Sequence, residues 1–326
     1  MIVLAGALTS AFALTACGQS GSSGTSAPPT AATGAGCAPI AGDQLVLLAD
    51  DKKLQNADNI VAVANSAAAT PAMMTAVDKV AASLDQPKLL ALNKAVDVDR
   101  KTPQQAAKEF ADANSLTTGL SGGSGKATIG AANFAESQTL AELYKIVLTA
   151  AGFSATVQQS TNREVYEPLL ESGQIGVFPE YAATMTEFLN KKANGANAPA
   201  KASTDATATV AALKDLGSKY NLTVGTPSTA NDQNAFAVTK PVADKYSLKT
   251  LSDFAAKCSG SATVLAGPAE CPTRPFCQAG LKTTYSLEVG SFFQGDAGGP
   301  QTKTALRTGK ATIGLVFSSD SSLTTA

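Results

Sequence analysis

Thr128-Ile129-Gly130-Ala131-Ala132-Asn133-Phe134-Ala135-Glu136-Ser137-Gln138 is the stretch whose reading decides the fold. Thr128 to Ala132 reads as a strand and Asn133 to Gln138 as a polar turn. Beyond the turn, Leu140, Leu143, Tyr144, Val147, Leu148 and Ala151 recur at the spacing of a one-sided apolar helix, which assigns Tyr144 to the core. Gly152 follows as a helix stop. A second strand-like run, Ile175 to Phe178, leads into Pro179-Glu180-Tyr181-Ala182-Ala183-Thr184.

Working outward, strands alternate with helices. Upstream, residues 43–48 and 59–63 read as strands. Thr70-Pro71 caps a helix, residues 87–95 form a short one, and Thr102-Pro103-Gln104-Gln105 is a capping box. Downstream, Thr161-Asn162-Arg163-Glu164 has the same signature, and Pro168 predicts a kink or a later start. Helices are expected over 206–219, 242–246, 251–257 and 301–308, strands over 235–238 and 262–265, and a solvated loop over 190–205. This is an α/β pattern with mostly parallel sheets, each covered on both faces.

The chain has 326 residues, enough for two lobes. Its formal net charge of −1 gives no electrostatic case for nucleic acid. No stretch approaches the ~20 apolar residues of a membrane-spanning helix. Residues 1–17 carry no charge and end in Leu14-Thr15-Ala16-Cys17, small residues before a cysteine as in a bacterial lipoprotein signal. No basic residue precedes this run, where such signals usually have some. The expectation is a signal over 1–17, lipidation at Cys17 and a flexible tether over 18–42. The protein would then be extracytoplasmic and held to the bacterial membrane by its lipid.

Setting Cys17 aside leaves Cys37, Cys258, Cys271 and Cys277, an even count that suggests disulfides outside the cytoplasm. Four cysteines allow three pairings. Cys271 and Cys277 could close a short loop, leaving Cys37 with Cys258. With no histidine and no Cys-x-x-Cys, nothing points to a metal. The missing histidine also removes the usual base for a serine or cysteine nucleophile, and no Gly-Lys-Ser/Thr phosphate loop is present, so neither an enzyme nor a cofactor is expected.

The quoted stretch and the Pro179 to Thr184 segment resemble the opening half of the substrate-binding proteins of osmoprotectant ABC transporters. Residues 43–116 resemble that family's C-terminal part, through Asp50-Asp51-Lys52 and Leu92-Asn93-Lys94-Ala95-Val96-Asp97-Val98-Asp99. Ala311 to Asp320 resembles the family segment just upstream of it. The resemblance therefore implies a two-lobed, type II periplasmic-binding-protein-like α/β fold, circularly permuted. Lobe I would combine 43–116 with 126–182 through a flexible Gly-rich linker at 117–125, lobe II would span 183–320, and 321–326 would be a tail. It also implies the solute-binding component of an ABC importer for glycine betaine, choline or a related quaternary amine or zwitterion. Such a component works as a monomer beside a membrane permease and closes its lobes around the solute. The alternatives are a ligand-sensing lipoprotein with the same cleft, or a receptor for a different amino-acid-like solute.

A quaternary ammonium cannot donate a hydrogen bond and is held by aromatic faces, at roughly 0.5–2 kcal/mol each. A betaine carboxylate needs Arg or backbone N–H donors. Loops at the carboxyl ends of strands are where ligands bind in open α/β sheets. The candidates there are Asn133, Phe134, Gln138, Asn162, Arg163, Phe178, Glu180, Tyr181, Asn234, Arg274, Phe276 and Asp320. Tyr181, Phe178, Phe134 and Phe276 are cage candidates, and Glu180 either faces a cation or caps a helix. Arg274-Pro275 resembles the family's Arg-Pro loop, whose Arg binds substrate carboxylate. Many relatives have a cage Tyr where this chain has Asn231-Asp232-Gln233-Asn234, which implies a more polar site.

Overall fold

The computed structural model describes residues 32–325 except positions 196 and 270, and only the backbone of 324 and 325. The expected signal, Cys17 and the tether up to residue 31 lie outside the described residues.

β1 (Leu45–Leu48) and β2 (Ile60–Asn65) are consecutive in sequence yet belong to different sheets. After β2 come α1 (Pro71–Ser83), α2 (Gln86–Asp97), α3 (Pro103–Ala113), β3 (Lys126–Ala131), α4 (Ala135–Ala151), β4 (Ser154–Gln159), α5 (Arg163–Glu171), β5 (Val177–Tyr181), α6 (Ala182–Asn194), α7 (Ala206–Ser218) and β6 (Leu222–Val224). The chain then crosses into β7 (Asn234–Thr239), α8 (Lys240–Tyr246), α9 (Leu251–Cys258), β8 (Gly260–Gly267), α10 (Gln278–Tyr285), β9 (Val289–Gln294), α11 (Pro300–Arg307), β10 (Ile313–Phe317) and β11 (Thr324–Thr325). One half is built on the sheet β4-β3-β5-β2-β6, the other on β11-β1-β7-β10-β8-β9.

This topology corrects the expected division. Residues 43–48 do not join the sheet of Ile129: Leu45 to Leu48 pair antiparallel with Thr239 to Phe236. Only the second strand of that segment joins it, through Ile60↔Tyr181 to Ala64↔Val177. The second half does not begin at 183 either, because α6, α7 and β6 stay with the β3 half. Local pattern marks a strand but not its sheet, which is set by the partners its two edges meet.

The sheets are mixed rather than mostly parallel. In each, the strand that arrives from the other half runs antiparallel to both neighbours: β2 between β5 and β6, β7 between β1 and β10. No crossover helix precedes these strands to bring them in parallel. The two crossovers lie side by side. Asn59 bridges Asn231, and Asp232 N donates to Asp58 O at 3.1 Å.

Several local expectations change for physical reasons. β5 runs on through Pro179 to Tyr181. Asn65 N donates to Gly176 O and Ala182 N to Asn59 O, so the hydrogen-bonded pairs fall on even-numbered β5 residues and Pro179, opposite Ala62, needs no N–H towards β2. α5 is capped by Asn162 rather than Thr161 and continues past Pro168, with Tyr166, Glu167 and Leu170 buried to hold it. α6 extends into the expected loop, to Asn194.

The segments expected to be loose are seated. Ser261 N donates to Gly34 O and Ala262 N to Ala35 O, so the tether's described end lies along the start of β8. Linker 117–125 is tied down by Gly123 N to Ala151 O and Ser154 N to Gly125 O, both 2.8 Å. A Cβ at Gly123 would lie 2.5 Å from the Phe153 ring, so glycine is needed there for close approach. The expected tail forms β11 beside β1, in register Val46↔Thr324. Two disulfides are present, Cys37–Cys258 and Cys271–Cys277, with Cα separations of 4.7 and 5.1 Å.

Candidate functional site: an acidic, aromatic-flanked junction

The turn after β3 meets the end of β5 and the crossovers where the two halves join. Phe134 occupies the N-cap of α4 without capping it, and the residue is 44% exposed. An aromatic residue is a poor cap, so local helix chemistry does not explain its presence. Its ring centroid lies 6.1 Å from that of Tyr181, at 33° between planes. Glu136, in the first turn of α4, is buried. Its Oε1 accepts from the Tyr181 hydroxyl at 2.6 Å and its Oε2 from Asn93 Nδ2 of α2. Asn93 Nδ2 also donates to Ser319 O, 3.0 Å away in the other half. Ser319 Oγ donates to Asp232 Oδ1 at 2.7 Å. On the first crossover, Asp58 Oδ1 accepts from Ala183 N and Thr184 N at 2.7 and 3.0 Å, serving the N-terminus of α6.

These carboxyls are unusually reluctant to ionise. Burial pushes Asp58 up to about 6, although Thr184 and Arg163 act against it. Burial raises Glu136 against the hydrogen bonds from Tyr181 and Asn93, with the charge of Asp97 adding to the rise. Asp232 is held well above the usual range by burial and then by Glu136. Tyr181 is raised by burial and by Glu136. Arg163, the nearby guanidinium, is already matched by Glu180. The junction is therefore a concentration of acid beside two rings, a setting that favours a cation.

Of the residues singled out from sequence, Phe134 and Tyr181 come together here. Asn133 is exposed next to Phe134, and Gln138 is half-buried one turn further along α4. Four others have different work. Glu180 is fully buried and accepts from Arg163 Nε and Nη2 at 3.1 and 2.8 Å, Tyr166 Oη at 2.6 Å and Tyr181 N at 3.1 Å. It neither faces a solute cation nor caps a helix, and Arg163 is committed to it. Burial lowers the Arg163 proton affinity, but Glu180 more than offsets this, so the guanidinium stays charged. Phe178 is 1% exposed and stacked on Tyr166 at 3.9 Å, leaving no ring face for a ligand. Asn162 caps α5 through Val165 N at 3.2 Å.

The remaining candidates lie in the other half. Asn234 Nδ2 donates to Phe276 O at 3.3 Å, and Gln55 Nε2 donates to the same oxygen at 3.1 Å, anchoring the loop closed by Cys271–Cys277. Arg274 is exposed on that loop and Phe276 is half-buried. Asp320 is paired with Lys303 Nζ at 2.7 Å. Sequence reasoning passed over Asp58, Asn93, Glu136, Asp232 and Ser319 as site residues. Glu136 stood in the Asn133 to Gln138 turn, Asp232 in the Asn231 to Asn234 run, Ser319 in the Ala311 to Asp320 segment and Asn93 in the Leu92 to Asp99 motif, all already quoted; Asp58 carried no local signal.

A family model described as the substrate binding domain of the ABC-type glycine betaine transport system matches residues 38–113 and 125–325. The chain belongs to this family. It is therefore the substrate-binding component of an ABC importer, with a type II periplasmic-binding-protein-like fold, and it works outside the cytoplasm with a small-molecule ligand and an ABC permease. The family is one of transport proteins, not of enzymes. A solved structure described as a glycine betaine/carnitine/choline ABC transporter is 21% identical and covers 59% of this chain and 68% of its own, with a TM-score of 0.43. No curated protein matches this substrate-binding domain.

Proposed function

We propose that this substrate-binding domain captures a quaternary amine, of the choline and glycine betaine class, at the junction of Phe134, Tyr181 and Glu136. The observation that carries this reading is an exposed ring, Phe134, 6.1 Å from Tyr181, whose hydroxyl is held by a buried carboxylate. The rings supply faces and Glu136, ionised beside a bound cation, supplies charge, which together suit a diffuse cation. A betaine carboxylate is assigned to Arg274. In this reading the protein is a monomer, anchored to the membrane by a lipid on Cys17, and its chain is a circular permutation of the family order. The family match falls in two runs separated at the Gly-rich linker, and β11 ends beside β1, both of which support the permutation.

A thermal-shift and calorimetry panel of choline, glycine betaine, proline betaine and carnitine tests the ligand class. At least one of them raises the melting temperature. If none does while simple amino acids do, the class is wrong. Arg274→Ala weakens glycine betaine about tenfold more than choline, as expected for loss of one charge-assisted contact of roughly 1.5 kcal/mol. Equal losses for the two would remove Arg274 from the site.

A further inference from the structure

The Leu92 to Asp99 run, which begins on α2 and ends just past it, is not used by the solute reading. Asn93, the second residue of the run, is 6% exposed, among the buried Leu89 and Leu92. A buried side-chain amide has two N–H donors to place. Here both are placed at the junction, and one of them crosses it. One goes to Glu136 Oε2 in the β3 half and the other to Ser319 O, beyond β10 in the other half. The second oxygen of Glu136 takes the Tyr181 hydroxyl, so each carboxylate oxygen has its own donor and the orientation of the group is set. α2 also reaches the second crossover, where Gln86 Oε1 accepts from Asn231 N at 3.0 Å.

We propose that Asn93 is a positioning residue for solute capture: it aims the Glu136 carboxylate and ties it to the Ser319 loop, so that the charge offered to a solute is complete only when the two halves meet. This rests on the reading of Glu136 as the acceptor of the solute's cation.

The ionisable groups facing Glu136 are Tyr181 from β5, Asp232 from the second crossover, just before β7, and Asp97 from the last turn of α2, with Lys303, Asp320 and Arg100 acting on Asp97. Asp97 favours the protonated form of Glu136, and the Tyr181 and Asn93 hydrogen bonds favour the carboxylate. Without Asn93, one buried oxygen loses its donor and Glu136 moves towards the neutral acid, which attracts no cation.

The test compares wild type, Asn93→Leu, Asn93→Asp and Glu136→Gln by calorimetry with choline and with glycine betaine over pH 5.5–8.5, and by carboxyl carbon-13 titration of Glu136 in solute-free protein. Asn93→Leu moves the Glu136 midpoint up by about one pH unit and weakens binding roughly tenfold at the acid end, with a smaller loss at the alkaline end. Asn93→Asp, close in shape to asparagine, moves the midpoint the same way by more, because two carboxyls then share the site. In Glu136→Gln the extra acid-end loss caused by Asn93→Leu disappears, leaving the double variant with the pH profile of Glu136→Gln alone. A loss uniform across pH with an unmoved Glu136 midpoint overturns the proposal. If wild type binds neither solute, the reading of the site falls, and Asn93 is still judged by the solute-free Glu136 midpoint: a rise in either variant supports the positioning role and no rise refutes it.

Discussion

Asp58 shows what one side chain can carry. Its carboxylate does for α6 what the helix's own N-cap, Tyr181, does not, by accepting the first free N–H groups from a crossover more than 120 positions away. Burial raises it from 3.8 to about 6. Between those values the folded protein keeps a proton that the unfolded chain releases. The stability from this group is therefore fully present below pH ~4 and is lost as pH rises through ~6, by about 3 kcal/mol in all. Asp58→Asn keeps an acceptor for the helix and cannot titrate. Urea unfolding from pH 4 to 7 should show the variant gaining on wild type by about that amount; a pH-independent difference would refute the assignment. None of this was legible locally, because Asp58 lies in no pattern and its partner helix is remote in sequence. Tyr181 was legible, since it ends a strand-like run and stands where α/β sheets present residues to ligands.

At the scale of elements, α5 is fastened to β5 by Arg163 and Glu180, with the Tyr166 ring packed on Phe178. Removing one member of a buried pair leaves an uncompensated charge, at a cost of about 3–5 kcal/mol. Arg163→Met should lose stability in that range by chemical denaturation, and Arg163→Met with Glu180→Leu should recover most of it. A cost below ~1 kcal/mol for the single variant would show that the pair is well solvated. Elements with strong local signals were readable: Thr102 and Gln105 make the capping box their spacing predicts, and the apolar stripe of α4 is buried. β4 was not, because Ser154 to Gln159 is a poorly buried edge strand with no apolar run. α5 passes through Pro168 because its buried face outweighs one missing hydrogen bond.

Across the whole molecule, two crossovers lying side by side join the halves, and α2 touches both halves beside them. The chain's described ends both lie on the β1 sheet: Ala35 bridges Gly260 of β8, and Thr324 and Thr325 pair with β1. These positions are a few strand spacings apart, within reach of a linker of about ten residues at ~3.3 Å each. A rearranged protein beginning at Lys126, running to Thr325, continuing through such a linker to Ala32 and ending at Leu116 should fold and bind the same solute. Its melting temperature should fall within about 5 °C of the parent, a shift of one or two kcal/mol for a chain of this size. A rearranged chain that fails to fold would count against the permutation.

By itself the sequence determined the strand–turn–helix units, their caps and breaks, and the family they belong to, because those depend on residues within a few positions of one another. Only the tertiary structure decided which sheet took Leu45 and which took Ile60. It alone spent Arg163 on Glu180 and gathered Asn93, Glu136, Asp232 and Ser319 at one junction. Asn93 and Ser319 are 226 positions apart, and a hydrogen bond over that span leaves no periodicity, no cap and no composition in either neighbourhood to announce it.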